Sequence, residues 1–192
     1  MSYTLRPEPH EIREARQKVE GVMEACKYIL EKDEVLELSI GAAPSSPESK
    51  HGAQGFASGP ATAQLYIRPE KDSWKEDLEK VAYKVYGKSW FYEKTEDSGL
   101  VWREILAESL GLMFLEKQLD GRRPEAGAEE FSEEWKDLKD VLAEFLSEGV
   151  QLEYSWQLKW YLGEALSERY SFSEFTELRK SDIVEAGEEV FE

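Results

Sequence analysis

Between residues 11 and 31 the apolar side chains fall at Ile12, Ala15, Val19, Val22, Cys26 and Ile29, the spacing that gathers one face of a helix into a stripe. Cys26 belongs to that stripe, which makes it a core residue before it is a chemical one. The period then changes to two: residues 35–40 alternate as a half-buried strand does. Residues 41–60 concentrate glycine, proline and serine and read as a loop enclosing a short strand around residues 54–57. Alternation returns over residues 61–68, with Ala63, Leu65 and Ile67 on one face and Gln64, Tyr66 and Arg68 on the other.

After Pro69 the pattern is helical throughout. A first helix has an acidic opening turn and the stripe Trp74, Leu78, Val81, Val85, widened by Ala82. A polar turn containing Thr95-Glu96-Asp97-Ser98 leads to a second helix over residues 99–119, through Val101, Ile105, Leu106, Leu110, Met113 and Phe114. Asp120-Gly121 supplies a C-cap signal, and residues 121–127 form a linker too short to separate domains. Further helices are expected over residues 129–147 and 151–170. The second is apolar nearly all round and therefore central. Ser171 and Ser173, then Ser181-Asp182, are cap-like starts for two short helices ending near Phe191. The expectation is one domain over residues 1–192, α+β in class. Residues 1–70 supply a helix and a small sheet, and residues 71–192 supply a helical part.

Composition narrows the function classes. An aromatic fraction of 12% and a hydrophobic fraction of 41% argue for a folded chain despite its acidity. The net charge of −17 repels phosphate backbones and anionic lipid alike, so neither nucleic acid nor membrane is an expected partner. No stretch approaches the roughly 20 apolar residues of a membrane span. The segment after residues 1–9 reads as the start of a helix rather than a charged-then-apolar leader, which points to a cytoplasmic protein. Strong acidity also suits a high-salt environment, where self-repulsion is screened. One cysteine rules out an internal disulfide and any paired-cysteine zinc cluster.

The chemistry is limited by what is missing. His10 and His51 are the only histidines, on separate elements, whereas a catalytic zinc needs three protein ligands, usually two of them histidines one helical turn apart. There is no Gly-x-Ser-x-Gly elbow, no phosphate-cradling loop and no spaced acidic loop for calcium. No metal or other cofactor is expected.

Several segments nevertheless share an order with a known family. Ser39-Ile40-Gly41-Ala42, Gly52-Ala53-Gln54-Gly55-Phe56-Ala57 and Ala63-Gln64-Leu65-Tyr66-Ile67 occupy sheet positions. A helix opening at Trp74-Lys75-Glu76-Asp77 follows, and then a helix carrying Ile105-Leu106-Ala107-Glu108-Ser109-Leu110-Gly111. This layout resembles the predicted zinc-dependent proteases of the gluzincin type, which are zincin-like in fold. In that family a helix, a strand, a glycine-containing loop and a second strand precede an H-E-x-x-H helix and then a helix bearing a third-ligand glutamate. The resemblance implies that Tyr83-Lys84-Val85-Tyr86-Gly87 stands where H-E-x-x-H would be, so the degenerate positions are Tyr83, Lys84 and Gly87, with Glu108 as the surviving third ligand.

That reading makes the chain a pseudo-protease. A residual cleft would hold a peptide or protein segment by main-chain pairing to the strand at residues 61–68, with Gln64, Tyr66, Arg68, Trp90 and Tyr92 as candidate contacts. Two alternatives stand beside it: an active metal-dependent hydrolase with displaced ligands, and an acidic structural protein with no cleft. Lys84 and Glu108 likewise have two readings. Either the ammonium pairs with the carboxylate in place of a metal, or both are solvated helix-surface charges. Of the tryptophans, Trp74, Trp156 and Trp160 fall on core stripes. Arg122-Arg123 reads as a helix-end pair that favours the negative end of the helix dipole.

Overall fold

The N-terminal stripe becomes α1 (His10–Lys27), which buries Ile12, Ala15, Val19, Val22, Met23 and Cys26. A computed structural model describes residues 9–43, 51–95, 99–119, 123–145 and 154–192. The turn signals at Glu96-Asp97-Ser98 and Asp120-Gly121, Arg122, and the expected helical residues 146–153 fall outside them. α1 stops short of residue 31 because the chain turns its next carbonyls toward a neighbouring helix. Leu30 O accepts from the Tyr86 hydroxyl at 2.8 Å, and Glu31 O accepts from the Trp90 indole N–H at 3.0 Å.

Three strands follow, β1 (Glu37–Ala42), β2 (Ala53–Ala57) and β3 (Thr62–Ile67), in the order β1-β3-β2. β1 runs parallel to β3 with Leu38 opposite Ala63 and Ile40 opposite Leu65. β2 runs antiparallel to β3 with Ala53 opposite Ile67. The alternation in residues 61–68 separates two faces as expected: Ala63, Leu65 and Ile67 have no exposed surface, while Gln64 is exposed and Tyr66 half-buried.

The helical part begins with α2 (Trp74–Lys94) and α3 (Val101–Leu119), which runs back along it. A 3-10 turn (Ala128–Phe131) introduces α4 (Ser132–Val141); then come α5 (Trp156–Arg169), a second 3-10 turn (Glu174–Glu177) and α6 (Lys180–Phe191). The chain is therefore α+β. α4 ends well before residue 147 because the residues after it serve α3. The carbonyls of Leu142 and Glu144 accept the Trp102 and Val101 N–H groups at 3.1 and 3.0 Å, capping donors that a helix start otherwise leaves open. α5 starts where Ser155 accepts from the Leu158 N–H at 3.2 Å. α6 begins one residue ahead of the expected Ser181, with Asp182 accepting the Arg179 N–H at 2.6 Å.

One hydrophobic core runs from Ala15 and Cys26 through Leu65, Leu78 and Phe114 to Trp135, Leu162 and Phe175. Burial pushes the Cys26 thiol up to about 12, which leaves it inert at neutral pH. Trp74 and Trp160 are core residues as their spacing implies, but Trp156 is 42% exposed at the first turn of α5. The expectation for Trp156 fails because it is the opening residue of a helix whose buried side is set by Leu158 and Leu162.

α2 and α3 meet through two glycines. A Cβ on Gly111 would lie 2.8 Å from the Lys84 carbonyl oxygen, and one on Gly87 would lie 3.3 Å from the Gly111 Cα. Gly111→Ala gains helix propensity yet must push α3 off the α2 backbone. It is expected to lower the melting temperature by about 2–8 °C, from roughly 1–2 kcal/mol. Thermal unfolding followed by circular dichroism checks this, and an unchanged or raised value would show that the backbones do not touch there.

Candidate functional site

Close approach of α2 and α3 brings long side chains beside the glycine contact across the seam. Lys84 and Lys88 are one turn apart on α2, and Glu104 and Glu108 are one turn apart on the opposed α3. The Glu108 oxygens take one ammonium each: Lys84 Nζ lies 2.6 Å from Oε2, and Lys88 Nζ lies 2.5 Å from Oε1. Lys88 also reaches Glu104 Oε1 at 2.5 Å, and the Tyr92 hydroxyl donates to Glu104 Oε2 at 2.5 Å. All four carboxylate oxygens are engaged, and two ammoniums balance two carboxylates.

The centre of the group is largely out of water, with side-chain exposures of 10% for Lys88 and 16% for Glu108, while Lys84 and Glu104 keep partial contact with solvent. Burial alone would raise the Glu108 pKa, but the ammoniums of Lys84 and Lys88 reverse that and hold it well below the usual carboxylate range. Burial likewise pulls Lys88 down, and Glu108 and Glu104 outweigh it, so its pKa sits above the ordinary lysine value. The Tyr92 phenol is raised, first by burial and then by Glu104, with Lys88 opposing. α5 adds Lys159 to this region, its pKa lowered chiefly by burial while Glu108 acts against that. At its centre Glu108 and Lys88 hold each other in the ionised form at neutral pH.

Of the residues singled out in the sequence, Lys84 and Glu108 meet as an ion pair rather than standing apart as solvated charges. Tyr83 and Gly87 do not join them. Tyr83 packs edge-on against Phe114 with ring centroids 6.1 Å apart, and Gly87 is the close contact with α3. The helical pair that converges on Glu108 is Lys84 and Lys88, one residue along from the pair the sequence suggested. Lys88, Glu104 and Lys159 went unread. Two lysines four apart on one helix, facing two glutamates four apart on the next, were the available signal.

The peptide-contact candidates are not brought together. Gln64 and Tyr66 lie on the face of the sheet opposite the buried residues, where the Tyr66 hydroxyl donates to Gln64 Oε1 at 2.8 Å. Arg68 is buried, donating to the His51 carbonyl at 3.3 Å and to Gln54 Oε1 at 3.2 Å. Trp90 is a core residue committed to Glu31, and only Tyr92 belongs to the charged network. The strand itself is also unsuited. β3 is the middle strand, paired on both sides, so it has no edge to offer an added peptide. Arg123, the described member of the arginine pair, sits at 3.7 and 3.6 Å from Glu116 and Glu164.

No known family model, curated protein or solved structure matches the chain. No helix among the described residues is long and apolar enough to cross a membrane. Nor do the described residues contain a group of three or more His, Cys, Asp or Glu arranged to hold a metal ion. The residues around Glu108 do not fit zinc: a protonated amine has no lone pair to donate, and Lys88 is held protonated by two carboxylates.

Removing the central carboxylate tests this description. Glu108→Gln leaves Lys84 without a carboxylate and Lys88 with one, and is expected to destabilise the fold by about 2–4 kcal/mol, the low end for a buried pair because Lys84 stays partly hydrated. The pH dependence has a definite sign. Glu108 is depressed in the folded state, so its contribution is full above the unfolded carboxylate pKa of about 4.3 and is lost as pH falls toward the folded value. Melting temperatures from pH 7 down to pH 3 should therefore show the wild-type advantage over Glu108→Gln narrowing below about pH 4. A constant gap would contradict the assignment.

Proposed function

We propose that the chain is a non-catalytic, metallopeptidase-like domain in which two lysine ammoniums take the place of the metal ion, leaving a cleft that holds extended polypeptide without cutting it. The observation that carries this reading is the convergence of Lys84 and Lys88, one helical turn apart, on the two oxygens of Glu108 from the following helix. A gluzincin-type metal site needs that disposition: two ligands at i and i+4 on one helix and a carboxylate from the next. The degenerate motif is then Lys84-Val85-Tyr86-Gly87-Lys88. The cationic charge that would neutralise the third ligand is carried by the side chains themselves.

The order of elements supports the same reading. A helix and a strand precede a glycine-containing stretch that carries β2, then β3 and the two site helices. Chemically, the network lacks what hydrolysis needs. Lys88 is held protonated and the carboxylates are each engaged by two donors, so no carboxylate base is free at its centre.

Peptide binding then falls to β2, which is an edge strand. Arg68 N–H bonds Gly52 O at 2.8 Å and Ser58 N–H bonds Thr62 O at 3.1 Å. By alternation Ala53, Gly55 and Ala57 direct their main-chain groups away from β3. Gly55 sits against Val81 and Val85 of α2, the second of which follows Lys84 in sequence.

Purified protein should carry no stoichiometric zinc and cleave no generic protein substrate. The Lys84→His, Lys88→His double variant should bind one zinc ion per chain, read by calorimetry and by cobalt absorption, and adding Glu108→Gln should abolish that uptake. A folded double variant that binds no zinc would remove the basis for the metallopeptidase-like reading, and chelator-sensitive cleavage by the wild type would replace it with an active hydrolase.

A further inference from the structure

Among the described residues no strand pairs with the side of β1 away from β3, and a groove lies beside that edge. Glu37 N–H bonds Ala61 O and Ala43 N–H bonds Ile67 O, each at 2.8 Å. In a parallel ladder the main-chain groups of residues 37, 39, 41 and 43 therefore face β3, and those of Leu38, Ile40 and Ala42 point outward. The side chains of Leu38 and Ile40 turn into a cavity of about 480 Å³ between β1 and α1, floored also by Val19, Met23 and Leu36. Leu38 and Ile40 thus offer both outward main-chain groups and the apolar floor of the groove.

Natural edge strands are commonly blunted by proline, lysine or a bulge. β1 reads Glu-Leu-Ser-Ile-Gly-Ala and has none of these. Three of the six large exposed hydrophobics among the described residues, Tyr28 (92%), Ile29 (47%) and Val35 (81%), occur in the segment between α1 and β1. Of the three, Val35 lines the groove itself and adds exposed apolar surface beside the unblunted edge.

The rim sets the occupant's charge. Glu20 and Glu24 project from α1 one turn apart and Glu34 from the segment before β1, all three exposed and lining the groove. Two of the other charged lining groups are occupied: Lys32 pairs with Glu93 at 2.5 Å and Asp33 with Lys94 at 2.7 Å. Arg16 and Lys27 lie on the same stripe of α1, so the rim is mixed but acidic on balance, within a chain of net charge −17. We propose that the β1 edge and the α1 groove form a docking site for an extended, basic segment of a partner polypeptide, which pairs as a fourth strand and inserts alternate apolar side chains beside Leu38 and Ile40. The site is independent of the Lys84–Glu108 network and stands whether or not the metallopeptidase-like reading does.

The probe is a short fluorescein-labelled peptide of alternating valine and lysine, titrated into the full chain by anisotropy at low salt, with a valine–glutamate peptide and a backbone N-methylated valine–lysine peptide as controls. Binding is expected for the valine–lysine peptide alone, weakened about tenfold by Ala42→Pro. That substitution removes an outward N–H and no ladder bond. Glu20→Lys, Glu24→Lys changes two exposed residues and keeps the test alive if the proline variant does not fold. It should weaken binding by a similar factor, with the difference shrinking as salt is added. A benzophenone in the peptide should label residues 16–40. No binding at about 1 mM peptide, equal binding of either control, unchanged affinity in a folded variant, labelling of residues 53–57 instead, or dimerisation of the chain through β1 would each overturn the proposal.

Discussion

The architecture turns on how closely α2 and α3 approach. Gly87 and Gly111 bring the two backbones near contact, with a Lys84 carbonyl where a Gly111 side chain would be. At that separation lysines and glutamates on the facing sides reach one another directly, and water has little room between them. Were the helices held apart by ordinary side chains, the same four residues would be four solvated charges with little mutual energy. Backbone proximity, set by two residues with no side chain, turns a surface pattern into a buried ionic cluster.

Such a cluster is not a strong source of stability in itself. Withdrawing two ammoniums and two carboxylates from water is expensive, and their attraction offsets that only when every oxygen finds a donor. Here each does, through Lys84, Lys88 and Tyr92. The arrangement therefore acts mainly as a register constraint. Sliding α3 by one turn to set Glu104 opposite Lys84 would carry Lys88 past Glu104 toward Leu100 and leave that buried ammonium without a carboxylate. The neutrality of the cluster also lets it sit inside a chain that is otherwise strongly acidic.

The parts of the fold that were legible in the sequence are those fixed by local periodicity. The stripe ending at Cys26, the alternation about Leu65 and the run from Val101 to Phe114 each became the expected element, because the apolar positions of each are the ones that enter the core. Element ends were less legible. α1 and α4 stop early to present carbonyls to Tyr86, Trp90 and the start of α3, a demand that arises on distant residues. At the site, Lys84 and Glu108 were found through an expected motif register, and that register hid Lys88: a charged residue one position beyond the motif looks like helix surface until the glycine contact is known. Trp90 misled in the opposite direction. A tryptophan near a suspected cleft suggests a binding platform, but its N–H is committed to Glu31. Strand order was not legible at all, since alternation in residues 61–68 does not say that the strand would be the middle one.

That strand order has a consequence for how the two sides of the molecule differ. With β3 central, both outer strands present main-chain groups, but they rest on different supports. β2 lies over α2, whose other flank is tied to α3 by the ionic cluster, so the ground beneath that edge is held on two sides. β1 is backed by α1 across a cavity rather than a filled interface, and Leu38 and Ile40 are only half-buried against it. Close packing is what makes a protein interior resist rearrangement, so the β2 side is the more rigid frame and the β1 side the more accommodating one. A chain that keeps alternate apolar positions half-open along an unblunted strand, while tying its opposite half with an ionic cluster, has one sheet edge on a firm support and one backed by a cavity.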